Sequence, residues 1–536
     1  MNDLFYLYGP PGSGKTTLGQ LLAKRLDLPF IDLDARIVAK AGKPIPAIFA
    51  SEGEPAFRAL ETECLRQVVA EGRGVAALGG GALLAPVNRA LAEDTGHVLC
   101  LDATLEVLEA RVAKAPGTRP LLADKPAEGT AATGATGATA APPPRPLAEL
   151  LAKRATHYAS FARRLRIGDG TPEEDADAAQ ITFGAFRVRG MGTAYPVRVG
   201  ADWLDGLGGL FQSHGWNGRA IVVGDTHTIP LHGARVKQLL TTAGIDTHLC
   251  TIPAGEATKT IQTVQLIWQA FLDAHIERGD IVLALGGGVV GDLTGFAAST
   301  WLRGVRWVGL PTSLLSMADS SLGGKTGADL PQGKNLIGAF HSPALVLADT
   351  ETLVTLPDDE FRSGLAEVVK HGLLSDPDLF DLCAEGFDRL RADVSGEFVS
   401  RAMAVKIRAI EQDPYEKGIR ASLNLGHTIG HGIETASGFT LRHGEAVAIG
   451  LVAEARVSER MGLAHRGLAD LIIGVLKGIG LPTEIPANLD RSSVRAAIQL
   501  DKKRAAGVVR FALPLCIGEA RVGVAVEENV LAEVLG

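Results

Sequence analysis

The sequence predicts an α/β protein in three parts: a domain with a parallel sheet, a second α/β domain, and a mostly helical domain. In the first ~110 residues, short apolar runs alternate with helical patterns, as expected for parallel strands joined by helices. A second alternation of this kind begins near residue 185. Strand signals fade after about residue 357, and amphipathic helical patterns follow, with one more short strand expected at VVRFALPL.

The composition suits a folded protein that acts on small molecules. Hydrophobic residues make up 46% of the 536-residue chain, which is enough for packed cores. The net charge of −8 provides no basic field for nucleic acid, so an anionic ligand must meet local clusters of Lys and Arg. The five cysteines are scattered and form no CxxC pair, which favours reduced thiols and a cytoplasmic location.

The sequence gives no sign of a targeting or membrane segment. The opening residues MNDLFYLYGP have no basic region of the kind that begins a signal peptide. No run of 18 or more apolar residues is present, so we expect no membrane span.

The first domain begins with a phosphate-binding motif. LFYLYG, GVAALG and HVLCLD have the character of strands, and GPPGSGKT, from Gly9 to Thr16, lies between the first strand and the helical pattern KTTLGQLLAKRL. This matches G-x-x-x-x-G-K-[ST], in which backbone N–H groups hold phosphates, the lysine reaches the terminal phosphates and the hydroxyl contacts Mg²⁺. A purely structural glycine turn would not require Lys15 and Thr16 in these places.

Further polar residues follow this motif in a defined order. Taken singly, each also fits a structural role; Arg58 and Glu61, for example, could form an i,i+3 surface pair. The set comprises Asp32 and Asp34 in FIDLD, Arg58 and Glu61 in EPAFRALE, Gly79, Gly80 and Gly81 in LGGG, Arg119 in TRPLL, and Arg154 in LAKRATHY. In this order and spacing, residues 1–170 resemble shikimate kinase.

The resemblance implies a role for each of these residues. ATP would be bound by Gly12, Ser13, Gly14, Lys15, Thr16, Thr17 and the lid residue Arg119, with Lys15 and Arg119 acting on the transferred phosphoryl group. Its Mg²⁺ would contact Thr16 and Asp32. Shikimate would be bound by Asp34, Arg58, Gly79, Gly80, Gly81 and Arg154, the arginines clamping its carboxylate. Arg111 is a candidate adenine contact.

Residues 126–146 form a low-complexity segment rich in Ala, Gly, Thr and Pro. Its composition is typical of a linker between domains. Because the resemblance assigns Arg154 to the kinase, we instead interpret the segment as an insertion after the lid, inside a first domain of residues 1–183.

The second α/β part contains another glycine-rich turn. DIVLALGGGVVGD fits G-x-G-x-x-G after a strand, from Gly286 to Gly291. The acidic residue expected about 20 positions later is missing, which argues against a standard dinucleotide-binding dehydrogenase. A tight structural turn and a turn that binds pyrophosphate both remain open on this motif alone.

The helical part contains Glu and His at spacings that suit a metal ion. SGLAEVVKHG places Glu367 before Lys370, NLGHTIGH places His427 and His431 four residues apart on one helix face, and LRHGEA adds His443. By spacing alone, these are either ordinary helix histidines or zinc ligands that include His431.

Residues 187–536 resemble 3-dehydroquinate synthase. The resemblance rests on PAGEATKT, GGGVVGD, PTSLLSMADSSLGGKTG, GKNLIGAF, AEVVKHG and NLGHTIGH in combination. It implies a zinc ion, or cobalt in its place, bound by Glu367, His427 and His443. It gives His431 a role in proton transfer and makes Lys325 a catalytic residue.

The resemblance also implies two sets of binding residues. NAD would contact Asp225, Glu256, Lys259, Gly286, Gly287, Gly288, Val289, Asp292, Thr312, Ser313, Asp319, Lys325 and Lys334. The phosphate and carboxylate of the sugar-phosphate substrate would contact Arg303, Lys325, Asn335, Lys370, Lys406, Arg420, Asn424 and Lys502.

Together the resemblances imply a P-loop kinase domain (1–183), an NAD-binding α/β domain (184–355) and a helical domain for zinc and substrate (356–536). The expected reactions are phosphorylation of shikimate by ATP and conversion of 3-deoxy-D-arabino-heptulosonate 7-phosphate to 3-dehydroquinate plus phosphate. A homodimer through the second half is also implied. One alternative is a P-loop kinase fused to a metal-dependent alcohol dehydrogenase, which would accumulate NADH. The other is a regulatory ATP-binding module, but Asp34, Arg58 and Arg154 argue against it.

Overall fold

The computed structural model describes residues 3–113, 146–168, 170–393, 395–416, 418–504 and 509–536. Arg119 and residues 126–145 of the low-complexity segment lie outside these ranges, as does the side chain of Lys502. The chain divides into two compact units, Met1–Phe183 and Gly184–Gly536. No helix in the described part combines the length and apolar character that crossing a membrane requires.

The first unit is a parallel sheet with helices in the connections, as the sequence predicts. Its strands, in the order β2-β3-β1-β4-β5, are β1 (Asp3–Tyr8), β2 (Phe30–Asp32), β3 (Arg73–Ala77), β4 (His97–Asp102) and β5 (Arg164–Arg166). Its helices are α1 (Lys15–Leu26), α2 (Leu33–Ala41), α3 (Ile45–Glu71), α4 (Pro86–Thr95), α5 (Leu105–Ala113), α6 (Pro146–Ala159) and α7 (Pro172–Phe183). Because all five strands are parallel, the loops after β1, β2 and β3 meet at one edge of the sheet.

Two sequence features set the geometry of this edge. Strand β1 is buried along its whole length, which fixes the start of the glycine loop that follows it. Helix α3 is kinked where Gly53 leaves the helical conformation, two residues before Pro55, a residue that cannot continue the helical hydrogen bonds. The part of α3 after the kink carries Arg58 and Glu61.

The second unit begins with an α/β half built on a seven-stranded sheet in the order β6-β7-β14-β11-β10-β8-β9. Its strands are β6 (Ala185–Val188), β7 (Tyr195–Gly200), β8 (Ala220–Asp225), β9 (Thr247–Ile252), β10 (Ile281–Gly286), β11 (Arg306–Pro311) and β14 (Leu345–Asp349). A separate antiparallel hairpin of β12 (Lys325–Leu330) and β13 (Gly333–Phe340) lies between β11 and β14 in the chain. All pairs in the large sheet are parallel except β6 with β7. The helices here are α8 (Leu207–Ser213), α9 (Ala234–Thr242), α10 (Ile261–Asp273) and α11 (Gly288–Thr300).

The rest of the second unit is mostly helical. Its helices are α12 (Asp358–Ser375), α13 (Pro377–Ala384), α14 (Phe387–Arg391), α15 (Glu397–Gln412), α16 (His427–Ala436), α17 (His443–Arg460), α18 (Leu468–Ile479), α19 (Arg491–Arg504) and α20 (Glu528–Leu535). The strand expected at VVRFALPL is β15 (Arg510–Cys516), which pairs with β16 (Glu519–Ala525) in an antiparallel hairpin.

Glycines allow the helices that carry the candidate metal ligands to pack closely. A Cβ on Gly444, at the start of α17, would lie 2.0 Å from the Ser363 carbonyl of α12. A Cβ on Gly450 would lie 2.0 Å from the Gly426 carbonyl that precedes α16. Only glycine permits backbone contacts this close. Helix α17 is thereby packed directly against both α12 and the start of α16.

Candidate active sites

The phosphate loop of the first unit joins β1 to α1. Its glycines Gly9, Gly12 and Gly14 have φ values of 134°, 87° and 83°, which other residues rarely adopt. The ammonium group of Lys15 donates to the Gly9 and Pro10 carbonyls at 2.8 Å each. No side-chain hydrogen bond caps the N-terminus of α1, and a helix start of this kind can donate N–H groups to phosphate oxygens.

Beside this loop lie two oxygen donors suited to Mg²⁺. The hydroxyl of Thr16 donates to the Asp32 carboxylate over 3.2 Å. The same carboxylate accepts from the Ala35 N–H at 3.1 Å, which holds it at the start of α2. A hydroxyl and a carboxylate next to bound phosphates form the oxygen donor set that Mg²⁺ prefers, so these residues fit the ion.

The loop after β3 approaches Arg58 and Asp34. A Cβ on Gly81 would lie 2.9 Å from a guanidinium nitrogen of Arg58, and one on Gly79 would lie 3.0 Å from the Asp34 carboxylate. Arg58 donates to Glu61 at 2.7 Å, and Glu61 is only 1% exposed. Burial raises the pKa of Glu61 despite the nearby Arg58. Arg58 and Glu61 therefore form a half-buried pair, and the glycines leave open the space next to it.

Three donors converge on the carbonyl of Gly80. Arg154 donates to it at 2.9 Å, Tyr158 at 2.7 Å and Tyr8 at 3.3 Å. Sequence analysis missed both tyrosines, although Tyr158 lies four residues after Arg154 and thus on the same face of α6. These contacts fix the glycine loop, and they place Arg154 in the first unit beside it.

One cavity of about 520 Å³ connects the phosphate loop to this second set of residues. The predicted residues that line it are Gly12, Ser13, Gly14, Lys15, Thr16, Thr17, Asp32, Asp34, Arg58, Gly79, Gly80, Gly81, Arg111 and Arg154. A volume of this size suits small-molecule ligands. The geometry thus brings a phosphate-binding loop and an arginine-lined pocket together in one space.

The glycine turn of the second unit lies where the order of the sheet reverses. Strand β8 is flanked by β9 on one side and β10 on the other. The chain therefore continues from β8 towards one edge of the sheet and from β10 towards the other edge. Such a point opens a crevice at the carboxyl ends of the strands. Asp225 ends β8 and Gly286 ends β10. Asp225 is thus an acidic residue at the end of the strand that pairs with β10.

The residues after β10 can accommodate a pyrophosphate. Gly287 caps α11, no side chain covers the helix N-terminus, and Val289 lies in its first turn. A Cβ on Gly287 would lie 3.3 Å from the Ser313 hydroxyl, and one on Gly288 would lie 2.9 Å from the Ser320 hydroxyl. The Thr312 N–H donates to the Gly286 carbonyl at 3.0 Å. Glycine here leaves backbone N–H groups exposed to a dinucleotide, so the turn fits NAD.

Polar side chains near this turn form one connected network. Lys259 contacts Asp292 at 2.6 Å and donates to the Asn335 side chain at 2.6 Å. Lys334, on the same hairpin strand as Asn335, lies 3.7 Å from Glu256. The network joins residues that sequence analysis assigned to the nucleotide with Asn335, which it assigned to the substrate.

Glu367, His427 and His443 place their ligand atoms within 4.8 Å of one another. One oxygen of Glu367 lies 3.1 Å from His443 Nε2 and 3.3 Å from His427 Nε2. The Nδ1 of His427 faces the Leu425 carbonyl at 3.0 Å, which leaves Nε2 directed at the cluster. Two imidazoles and one carboxylate form the protein donor set of a catalytic zinc site, so these residues fit the metal.

The charges around this cluster are balanced locally. Although burial opposes ionisation, the positive charge of Lys370 and hydrogen bonds with His427 and His443 hold the pKa of Glu367 well below its usual value. Burial also opposes protonation of His443, but hydrogen bonds to Glu367 and Glu434 raise its pKa to about 10. A metal ion bound by His443 would compete with this proton.

His431 is not one of these three residues, but its ligand atom lies within 4.8 Å of those of Glu434 and His443, which makes a second candidate metal group that shares His443. His431 is 60% exposed, and its Nε2 is 3.9 Å from the Glu434 carboxylate. The same carboxylate lies 3.5 Å from Nδ1 of His443. Sequence analysis missed Glu434, which the spacing could have revealed because it follows His431 by three residues on one helix.

The predicted anion-binding cations occupy several elements. Buried Lys370 pairs with Glu367, buried Lys406 pairs with Asp319, and Lys325 pairs with Glu416. Sequence analysis missed Glu416, which has a φ of 56°. The other predicted substrate-binding residues lie elsewhere. Arg420 is buried and donates to the Pro414 carbonyl. Asn424 ends the short turn before α16, and Arg303 is exposed next to α11.

Comparisons with known proteins match a family to each half of the chain. Residues 11–181 match the family Shikimate kinase, residues 249–363 match 3-dehydroquinate synthase N-terminal, and residues 364–504 match 3-dehydroquinate synthase C-terminal. The family matches include most of the phosphate loop, the glycine turn after β10 and the candidate metal ligands, whereas Asp225 lies outside them.

Individual relatives match the second half. The 3-dehydroquinate synthase of Symbiobacterium thermophilum is 43% identical over 333 residues, which cover 61% of this chain and 93% of the relative. That of a Synechococcus species is 48% identical over 57% of this chain and 84% of the relative. Among solved structures, the 2-epi-5-epi-valiolone synthase ValA from Streptomyces hygroscopicus, with NAD⁺ and Zn²⁺ bound, has a TM-score of 0.59 and 28% identity over 65% of this chain and 98% of that one.

Proposed function

We propose how the residues of two active sites act in this chain, which belongs to the 3-dehydroquinate synthase family and carries a shikimate kinase region before it. It is a bifunctional enzyme of the shikimate pathway. One reaction phosphorylates shikimate with ATP, and the other converts 3-deoxy-D-arabino-heptulosonate 7-phosphate to 3-dehydroquinate and phosphate. The alternatives of an alcohol dehydrogenase and a regulatory ATP module are not supported by these family matches.

For the kinase, the observation that supports the residue roles is the single cavity. The phosphate loop and Lys15 hold the ATP phosphates, while Thr16 and Asp32 contact the Mg²⁺ that comes with them. Arg58 and Arg154 bind the shikimate carboxylate, and Asp34 accepts hydrogen bonds from its hydroxyls. Catalysis then consists of aligning the acceptor hydroxyl with the γ-phosphate and neutralising the charge that develops.

For the synthase, the supporting observation is the convergence of Glu367, His427 and His443. These residues would hold zinc, which when bound acidifies the substrate hydroxyl to be oxidised. The glycine turn and Asp225 would hold NAD, which when bound accepts one hydride from the substrate and later returns it. His431 lies at the open side of the cluster and moves a proton there, with Glu434 next to it. Lys325, Lys370, Lys406 and Arg420 hold the substrate anions.

Paired assays on the intact chain test this function. With ATP, Mg²⁺ and shikimate, ADP should form in proportion to shikimate 3-phosphate. With the sugar phosphate and NAD, phosphate should be released without net NADH, and a zinc-selective chelator with Mg²⁺ in excess should stop this reaction while sparing the kinase. Accumulation of NADH, or synthase activity that resists the chelator, would contradict the proposal.

A homodimer through the second unit and a cytoplasmic location belong to the same proposal. Four of the five cysteines are free and buried and the fifth, Cys516, is free and exposed, which suits a reducing compartment. The dimer rests on family resemblance. Light scattering on the intact chain tests it, and a monomeric mass at micromolar concentration would contradict it.

A further inference from the structure

A buried carboxylate reaches the N-terminus of α16 from the neighbouring helix α17. Glu454 is 0% exposed, and its two oxygens accept from two different backbone groups: the Gly426 N–H at 2.5 Å and the Ile429 N–H at 3.3 Å. Helix α16 has no side-chain cap of its own. Glu454 thus satisfies N–H groups that a helix start otherwise leaves without a partner.

This contact depends on close packing between the two helices. Gly426 has a φ of 79°, and Gly450 of α17 lies so near that a Cβ there would be 2.0 Å from the Gly426 carbonyl. One turn further along α16, a Cβ on Gly430 would be 3.1 Å from the Ala446 carbonyl. The glycine contacts bring the backbones together, and Glu454 fixes the position of the start of α16 on α17.

The residues fixed in this way include candidate metal ligands. His427 is the first residue of α16 and lies between Gly426 and Ile429, the two residues that Glu454 binds. His443 is the first residue of α17, the helix that carries Glu454. We propose that Glu454 is a positioning residue of the synthase metal site, which sets the place of His427 relative to His443. This inference rests on the proposed zinc ligands.

An amide is not equivalent to the carboxyl group of Glu454. Both oxygens of Glu454 accept, whereas the side chain of Gln would direct an NH₂ group at one of the two N–H donors. The start of α16 would then shift or leave one donor unsatisfied, and His427 would move with it. Partners that orient metal ligands from outside typically change metal affinity by about 10–100-fold when they are removed.

The test measures metal binding by the intact chain. In Glu454→Gln, zinc affinity, determined by competition with a chromophoric chelator, should fall by about 10-fold or more. The visible spectrum of the Co²⁺-loaded variant should change, because the arrangement of the ligands changes. Kinase activity of the same chain should stay at the native level, and native tryptophan fluorescence should show that the second unit, which contains all five tryptophans, is folded.

The control is a second buried carboxylate with similar contacts. Asp349 accepts from the Leu204 N–H at 2.8 Å and the Glu351 N–H at 3.0 Å, and is not among the candidate ligands or binding residues. Asp349→Asn should keep native zinc affinity and the native Co²⁺ spectrum. This control separates an effect on the metal site from the general loss of a buried carboxylate.

A second variant guards against loss of folding. Glu454→Asp keeps two acceptor oxygens on a shorter side chain and should also weaken zinc binding, by less than the Gln change. Native zinc affinity and a native Co²⁺ spectrum in the variants that fold would overturn the proposal. If the native chain binds no zinc, the proposed ligands are wrong, which is a different failure from a positioning role that does not exist.

Discussion

At the scale of single residues, both sites depend on glycines and histidines whose roles are determined by the residues around them. The string LGGG occurs twice, at 78–81 and 285–288, and the surroundings of the two copies differ. The first copy adjoins Arg58 and Asp34, and the second adjoins Ser313 and Ser320 at the start of a helix. In both, the missing side chain creates the space next to a polar group, which makes the role of the glycine open to a direct test.

We predict that Gly81→Ala weakens shikimate binding selectively. The added Cβ would lie 2.9 Å from the Arg58 guanidinium and would displace it. The KM for shikimate should rise by about 10-fold, while the KM for ATP stays near its native value, because losing a charged hydrogen bond costs ~1.5–3 kcal/mol. Steady-state kinetics provide the measurement. In Gly168→Ala the Cβ meets open space, so this control should behave like the native enzyme, and equal KM values in both variants would contradict the assignment of Arg58.

For the metal site, we predict that His443→Ala loses bound zinc and synthase activity but retains kinase activity. Removing one of three protein ligands should lower synthase activity by more than the ~100-fold typical of partners outside the ligand set. Metal content by atomic absorption and the two activity assays check this. His465→Ala, at an exposed position, serves as the control. Full zinc occupancy in the His443 variant would show that the ligands lie elsewhere.

At the scale of elements, the sequence predicts best where hydrophobic pattern alone determines the structure. Strands β1, β3 and β4 and strands β8 to β11 are apolar runs bounded by turns, and each forms as expected. Hairpin β12–β13 was missed because its strands contain Gly327, Asp329 and Gly338, which have low strand propensity. It forms through close backbone contact, since a Cβ on Gly338 would lie 2.3 Å from the Thr326 carbonyl.

The same distinction applies to the candidate sites. The phosphate loop and the His427–His431 pair are local in sequence, so their spacing reveals them. Glu454 approaches α16 from a different helix, and Asp225 ends a different strand from the one that precedes the glycine turn. Such contacts depend on how elements pack, and no local pattern encodes that packing.

The buried position of Asp349 predicts that the free energy of unfolding depends on pH. Burial raises the pKa of Asp349, at the end of β14, to about 6, from an ordinary value of 3.8. A carboxyl whose folded pKa is raised favours folding when it is protonated. Its contribution is therefore fully present below about pH 4 and is lost as the pH rises through about 6.

We therefore expect the native chain to lose up to about 3 kcal/mol of unfolding free energy relative to Asp349→Asn between pH 4 and pH 7. All five tryptophans (Trp203, Trp216, Trp268, Trp301 and Trp307) lie in the second unit, so urea unfolding followed by tryptophan fluorescence reports on that unit. The pH 4 to pH 7 comparison of the two proteins is the measurement. A difference that does not vary with pH would show that Asp349 titrates normally.

At the scale of the whole molecule, the two units meet in the chain without a spacer. Phe183 is buried in the first unit, where its ring lies 5.1 Å from that of Phe5. Gly184, the next residue, belongs to the second unit, where its carbonyl accepts from the Val199 N–H at 2.7 Å. The described residues that line the kinase cavity all precede this junction, and the candidate metal ligands all follow it.

Since each site is built from one side of the junction, we predict that the two activities do not require a fixed junction. Inserting a flexible Gly-Ser linker between Phe183 and Gly184 should leave kcat/KM of both reactions within about threefold of native, because such linkers behave as random coils and transmit no geometry. Both assays on the purified insertion variant measure this, with a linker of the same composition added after Gly536 as the control. A loss of more than tenfold in either reaction, absent from the control, would mean that one site requires the other unit held in place. The reactions would then be coupled through the structure as well as carried on one chain.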